Sequence, residues 1–167
     1  FSRVLRSERL ASLGWCTPLL ALYLLLDLLQ FWVDTWSRHQ EPHINAAVLT
    51  VALAIAAIYY LAAALAFPER LEAWDRLDDY YDRQKRRIVA LTLVANLLSL
   101  TVLPLLAGQP GVVSATFTLG GLAWTALWIA PLIAICFVRN RKINAALLAW
   151  QCALYLVLTF AEALAEL

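Results

Sequence analysis

Long apolar runs separated by short polar connections dominate the hydrophobic pattern of this chain. Each of five runs reaches the ~20 residues that a helix needs to cross the hydrocarbon core of a membrane. The runs cover residues 15–36, 44–67, 88–107, 112–138 and 143–164. The pattern therefore predicts an all-α, polytopic integral membrane bundle of five transmembrane helices, organised as a single domain over residues 1–167.

The longest polar connection, PERLEAWDRLDDYYDRQKRR, has the pattern of an amphipathic helix. Acidic residues crowd its first half and basic residues its end, an order that complements the helix dipole. We expect an interfacial helix over about residues 69–86, lying on the membrane surface. Trp74 and Tyr81 would form an aromatic stripe along this helix and contact lipid or a partner protein.

Composition and charge support a membrane protein and indicate its orientation. Apolar residues make up 63% of the chain and charged residues 15%, whereas soluble domains are nearer one half and one quarter. Residues 1–12 hold three Lys or Arg, residues 69–87 hold six and residues 139–142 hold three, whereas the opposite side has Arg38 alone. Because cytoplasmic loops carry the excess of basic residues, we expect the start of the chain inside and its end outside. This charge distribution does not suggest nucleic-acid binding.

The chain starts at Phe1 and contains no Met. We therefore expect it to be part of a longer polypeptide. The basic opening segment would then be the cytoplasmic tail of an earlier helix.

A polar stripe runs along the first predicted span. Tyr23, Asp27, Gln30 and Asp34 fall on one face of a helix. The third and fifth spans have polar faces as well, made of Thr92, Asn96, Ser99, Asn144, Gln151, Tyr155 and Glu162. A carboxyl group facing lipid costs about 3 kcal/mol on insertion scales, so these faces should point at one another.

Asp27 lies roughly 18 Å inside the first span, counted at 1.5 Å per residue. With no basic residue in any span to neutralise it, we expect a protonated carboxyl that donates to Asn96, Gln151 or Tyr155. Three roles stay open. Asp27 could hold helices together as a polar contact, it could bind a proton or an ion, or it could pair with another subunit.

Trp124 and Trp128 lie four residues apart on one face of the fourth span, which Pro131 should kink. Trp124 is expected near the bilayer centre, although Trp usually prefers the interface. The indole face is thus a candidate contact for a partner helix, a lipid tail, a quinone or a carotenoid. Gly120 and Gly121 favour close helix contact within the bundle.

Catalytic and metal-binding patterns are sparse. His39 and His43 are the only histidines. Both lie in an outer connection, which makes them weak candidates for metal ligands. With no histidine in a span, haem held by two membrane-embedded histidines is excluded. The chain has no Ser-His-Asp, HExxH, P-loop or GxGxxG pattern, so the sequence predicts neither an enzyme nor a bound cofactor.

Three segments, LLQFW, YYLAAALAFPE and LDDYYDRQKRR, resemble in order and spacing a group of uncharacterised bacterial multi-pass membrane proteins. The resemblance covers about residues 15–95. It implies a multi-pass topology in a bacterial inner membrane and transfers no activity.

Two function classes remain from the sequence. The first is a non-catalytic membrane subunit or assembly component that binds lipid and other membrane subunits or associates with itself, through Trp74, Tyr81, Trp124 and Trp128. The second is a small transporter or channel that uses a buried acidic path around Asp27. The chain shows no inverted repeat, which counts against the second class.

Overall fold

A computed structural model describes residues 14–38, 45–68 and 77–165. In these residues the chain forms helices α1 (Cys16–Arg38), α2 (Ala46–Ala66), α3 (Leu77–Leu97), α4 (Leu103–Leu106), α5 (Pro110–Thr116), α6 (Leu119–Phe137) and α7 (Arg141–Ala165). Five stretches are long and apolar enough to cross a membrane, and they are Cys16–Thr35, Ala46–Ala66, Leu77–Leu106, Leu119–Phe137 and Arg141–Ala161. The predicted all-α architecture with five spanning helices is confirmed.

The start of α3 differs from the predicted surface helix. Residues 77–86 are the first turns of α3 and continue without a break toward Leu97. Tyr81, expected on the membrane surface, is only 2% exposed and packs in the core of the bundle. The early turns of α3 pack against α1 and α6, where Thr17 donates to the Leu77 carbonyl and Arg86 donates to the Cys136 carbonyl. Trp74 and the rest of residues 69–76 lie outside the described residues.

The third span changes its helical geometry before it ends. Residues Leu98–Val102 form a π-helical turn, in which the Leu103 N–H reaches back five residues to the Leu98 carbonyl. Pro104 follows directly, and its ring would clash with the carbonyl four residues earlier in a regular α-helix. The wider turn accommodates Pro104, which is buried together with Leu103.

The fourth predicted span is split into α5 and α6. The break falls at Phe117 and Thr118, where the Thr118 hydroxyl accepts a hydrogen bond of 3.1 Å from the Gly121 N–H and caps α6. A Cβ on Gly121 would collide with backbone carbonyl oxygens at the end of α5, whereas one on Gly120 would meet open space. The expected close helix contact is therefore wrong for Gly120, whereas Gly121 does make one, with the backbone at the end of α5, and is needed for the turn.

The break also bears on the position of Trp124. Since α6 begins at Leu119, Trp124 lies in its second turn, roughly 8 Å from the start of the helix and roughly 6 Å from the middle of the Leu119–Phe137 span. Its expected position near the bilayer centre stays a prediction.

The bundle is held together by two clusters of buried apolar side chains. The first joins α1, α2, α3, α6 and α7. The second joins α1, α2, α3 and α4. Outward faces carry exposed residues such as Leu25, Leu53 and Val157. Because lipid tails are as apolar as these side chains, apolar burial gives little drive for helix association in a membrane, so polar contacts between helices acquire more weight.

Candidate functional site

Asp27 lies at the meeting point of four helices and is 3% exposed. Its Oδ2 accepts hydrogen bonds from the Tyr23 hydroxyl at 3.2 Å, the Tyr59 hydroxyl at 2.9 Å and the Asn96 Nδ2 at 3.1 Å. Its Oδ1 accepts a short hydrogen bond from the Tyr155 hydroxyl. The donors come from α1, α2, α3 and α7. We call these five residues the Asp27 junction.

Local helical geometry explains how the junction forms. Tyr23 precedes Asp27 by four residues, so the two side chains share a face of α1. Asn96 also donates to the carbonyl of Thr92, one turn earlier, at 3.0 Å, which fixes its amide toward the bundle. The fold therefore brings together four residues from the predicted polar faces, namely Tyr23, Asp27, Asn96 and Tyr155.

Tyr59 is the member of the junction that the sequence analysis did not single out. It sits beside Tyr60 in an apolar helix, yet Tyr59 is 3% exposed and Tyr60 is 73% exposed. The spacing of apolar and aromatic residues along α2 could have identified Tyr59. The buried residues of α2 are Val48, Ala52, Ile55, Tyr59, Ala62 and Ala66. They recur at alternating steps of four and three, which is the spacing of one helix face, and Tyr60 falls off it.

The chemistry of the junction is that of a carboxyl group surrounded by donors. An ionised carboxylate can accept about four hydrogen bonds, and the four partners supply that number. A protonated carboxyl can instead donate to one phenol oxygen, since each tyrosine hydroxyl both donates and accepts. Asn96 is a donor here, opposite to the expected direction. No ion pair to Asp27 occurs within the described residues.

Gln151 lies outside the junction, so its expected contact with Asp27 is wrong. Its side chain is fully buried, and its Nε2 donates to the Trp128 carbonyl at 2.6 Å. Pro131, three residues further along α6, has no N–H and therefore cannot bond the Leu127 carbonyl four residues earlier. The Gln151 contact lies one residue past that carbonyl and joins α7 to the part of α6 that precedes the proline.

Trp128 packs inward rather than on an open face. Its ring lies 4.6 Å from the ring centre of Tyr155 and touches Trp124 edge-to-face at 6.0 Å. Trp128 is thus a neighbour of the junction, partly buried against the core of the bundle, and its expected partner contact stays a prediction. Trp124 remains 53% exposed.

The other polar residues of the first span lead from the junction toward one end of the bundle. Gln30, one turn beyond Asp27, donates to Asp34 Oδ1 at 3.1 Å. Asp34, Ser99 and Gln109 help to line a small cavity of about 20 Å³, which is enough for one water molecule. The cavity stops short of Asp27, which it does not contact.

Several predicted site residues cannot be placed. His39 and His43 lie outside the described residues, and so does the side chain of Glu162. Within the described part of the chain, no group of three His, Cys, Asp or Glu residues could hold a metal.

The opposite end of the bundle, which we call the basic end, carries a second polar cluster. Arg141 on α7 reaches across to Asp79 at 2.5 Å and to Asp82 at 2.9 Å on α3. Lys85 is 6% exposed, pairs with Asp82 at 3.3 Å and donates to the Val138 carbonyl at 2.8 Å. These contacts tie the start of α3 to the end of α6 and the start of α7.

Comparison of the chain with protein-family models, with curated proteins and with solved structures finds no match.

Proposed function

We propose that this chain is a small membrane transporter or channel and that Asp27 is the group that binds the transported proton. The observation that carries the proposal is the Asp27 junction itself. A carboxyl group deep in an apolar bundle is costly, and here it faces inward and joins four helices. An ionisable residue in such a position is a functional candidate by default.

The contacts favour a proton over a metal cation. A cation needs oxygen lone pairs directed at it, whereas the nearest groups to Asp27 approach as three hydroxyl donors and one amide donor. Such groups stabilise the charged carboxylate after its proton leaves, and a hydroxyl can turn to accept once the proton returns. Gln30 and Asp34 supply polar groups between the junction and the small cavity at one end.

Proton flux in reconstituted vesicles tests the proposal. Purified protein is placed in liposomes, a potassium diffusion potential is imposed with valinomycin, and internal pH is followed with a dye. Asp27→Asn should lower flux at least about tenfold, because an amide can still accept through its oxygen and donate to a tyrosine hydroxyl but carries no acid proton to exchange. Asp79→Asn makes the same change at the basic end and should leave flux nearly intact.

If both variants conduct like the wild type, or if the wild type conducts no better than empty liposomes, the transport proposal fails. Asp27 would then be a polar contact that holds helices together.

A second candidate function, a membrane subunit, is supported by the exposure of α6. Only 11% of its most apolar window is buried, and Trp124 is half exposed. A partner helix or a second copy could cover this face, as could lipid, a quinone or a carotenoid. Tyr81 does not support this candidate, since it packs inside the bundle, and Trp128 supports it less than Trp124 because it is partly buried.

Native mass spectrometry after extraction in mild detergent tests the subunit candidate. A specific complex should be weakened by Trp124→Ala and unaffected by Trp150→Ala, because Trp150 is a comparably exposed indole on α7. A lone monomer would contradict it.

We further propose a bacterial inner membrane location with the basic end in the cytoplasm. The excess of Lys and Arg at that end supports this orientation. The resemblance of three segments to bacterial multi-pass membrane proteins supports a bacterial origin of the chain.

A further inference from the structure

A cavity of about 440 Å³ opens at the basic end, between α3 and the connection from α6 to α7. Its charged lining is Asp82, Arg83, Lys85, Arg86 and Arg139. Four of these five side chains are cationic. The one carboxylate, Asp82, is already paired with Arg141 and Lys85, so the cavity as a whole is positively charged.

The cavity also has an apolar side that faces the membrane. Phe137 is the last residue of the α6 span, lines the cavity and is 76% exposed. Ile133, one turn earlier on α6, is also exposed. The cavity therefore lies where an apolar span ends, with cationic groups on one side and a lipid-accessible helix on the other.

We propose that this cavity binds the phosphate of an anionic phospholipid. Guanidinium groups recognise phosphate oxygens through paired hydrogen bonds, and basic pockets between spanning helices are suited to phospholipid headgroups. Phe137 and the exposed face of α6 lie where the acyl chains of such a lipid would run. A free phosphate would bind the same cationic groups as the lipid headgroup, but it has no acyl chain to contact this apolar side.

Two of the cations are held in place before any ligand binds. Lys85 donates to the Val138 carbonyl, and Arg86 Nε donates to the Cys136 carbonyl at 3.1 Å. The contact with the Cys136 carbonyl uses only Arg86 Nε. The two terminal nitrogens of the guanidinium carry further N–H donors that a phosphate could accept from. Arg139 adds an exposed guanidinium from the connection.

Lipid titration followed by native mass spectrometry tests the proposal. The purified protein in neutral detergent is titrated with phosphatidylglycerol, with phosphatidylcholine and with inorganic phosphate. Phosphatidylglycerol should bind at least about tenfold more tightly than phosphatidylcholine, since a basic residue near the membrane surface contributes about fivefold in affinity for an anionic lipid. Arg139→Gln should weaken phosphatidylglycerol binding about fivefold, and the double variant with Arg86→Gln about 25-fold.

Arg87→Gln is the matched control, because Arg87 is an exposed neighbour of the same charge that does not line the cavity. It should change affinity less than about twofold. Arg139→Gln leaves the Arg86 contact with α6 intact, so a loss of folding in the double variant does not remove the test. Equal weakening by Arg87→Gln and Arg139→Gln would overturn the site in favour of general charge attraction. Equal binding of the two lipids, or phosphate binding without lipid preference, would overturn the lipid assignment.

Discussion

Replacing Tyr59 by Phe removes one oxygen from the Asp27 junction and leaves the shape of the side chain almost unchanged. The lost hydroxyl donates to Asp27 at 2.9 Å from a side chain that is 3% exposed. Tyr60→Phe is the matched control, since the neighbouring tyrosine is 73% exposed. Any difference between the two variants reports the buried hydrogen bond.

The expected loss of stability depends on whether the acceptor, the Asp27 carboxyl group, is charged or neutral. A hydrogen bond to a charged group contributes about 1.5–3 kcal/mol to stability and one between neutral groups about 0.5–1.5 kcal/mol. Polar contacts between membrane helices average only about 0.6 kcal/mol and reach about 1.7 kcal/mol. We therefore expect Tyr59→Phe to lower the free energy of unfolding by about 1–2 kcal/mol. Tyr60→Phe should change it by less than about 0.5 kcal/mol.

Reversible unfolding in mixtures of sodium dodecyl sulfate and mild detergent, followed by far-ultraviolet circular dichroism, measures both variants. Repeating Tyr59→Phe in the Asp27→Ala background, which lacks the acceptor, completes a double-mutant cycle for this hydrogen bond. A coupling energy above about 1.5 kcal/mol indicates an ionised carboxylate as the acceptor, and one below about 1 kcal/mol indicates a neutral acid. Equal stability of the Tyr59 and Tyr60 variants would refute the junction as a stabilising contact.

Three further predictions concern the rest of the bundle. Gly121→Ala should destabilise the protein by more than about 1 kcal/mol because the new methyl group meets backbone oxygens, whereas Gly120→Ala should be neutral or slightly stabilising in the same unfolding assay. Gln151→Leu should cost about 0.5–1.5 kcal/mol because it removes the buried hydrogen bond that joins α7 to the Trp128 carbonyl of α6, and a stability equal to that of the wild type would argue against this role of Gln151. A cysteine at Asp79 should be shielded from an impermeant thiol reagent in intact cells while one at Gln40 is labelled, and the reverse pattern would invert the proposed orientation.

The fold class could be predicted because the lengths of apolar runs report directly on membrane-spanning helices. The break at Phe117 and Thr118 could not, because a change of backbone direction in an apolar run leaves the hydrophobic pattern intact. The same limit applies to the start of α3. A charged, amphipathic segment has the same periodicity whether it lies on a surface or begins a spanning helix, and only packing decides that Tyr81 is buried.

For the Asp27 site, the helical periodicity of polar residues within the first span identified Tyr23 and Asp27. Polar residues in the third and fifth spans identified Asn96 and Tyr155. The sequence does not show which helices pack against each other, and so which of these polar residues meet. Gln151 shares a helix with Tyr155 and looked equivalent to it, yet it binds the backbone carbonyl of Trp128 on α6. A polar side chain in a span can bind either another side chain or a backbone carbonyl of a neighbouring helix, and sequence spacing does not distinguish the two.

The contact between Asp27 and Tyr155 joins residues 128 positions apart and has a consequence for biosynthesis. The helix that carries Asp27 leaves the ribosome long before the helix that carries Tyr155. During that interval the carboxyl group lacks one of its partners, and the nascent helix is held by an incomplete set of hydrogen bonds. Completion of the bundle therefore waits for insertion of α7. A chain that stalls before α7 leaves the Asp27 carboxyl in the bilayer with three of its four hydrogen-bond donors.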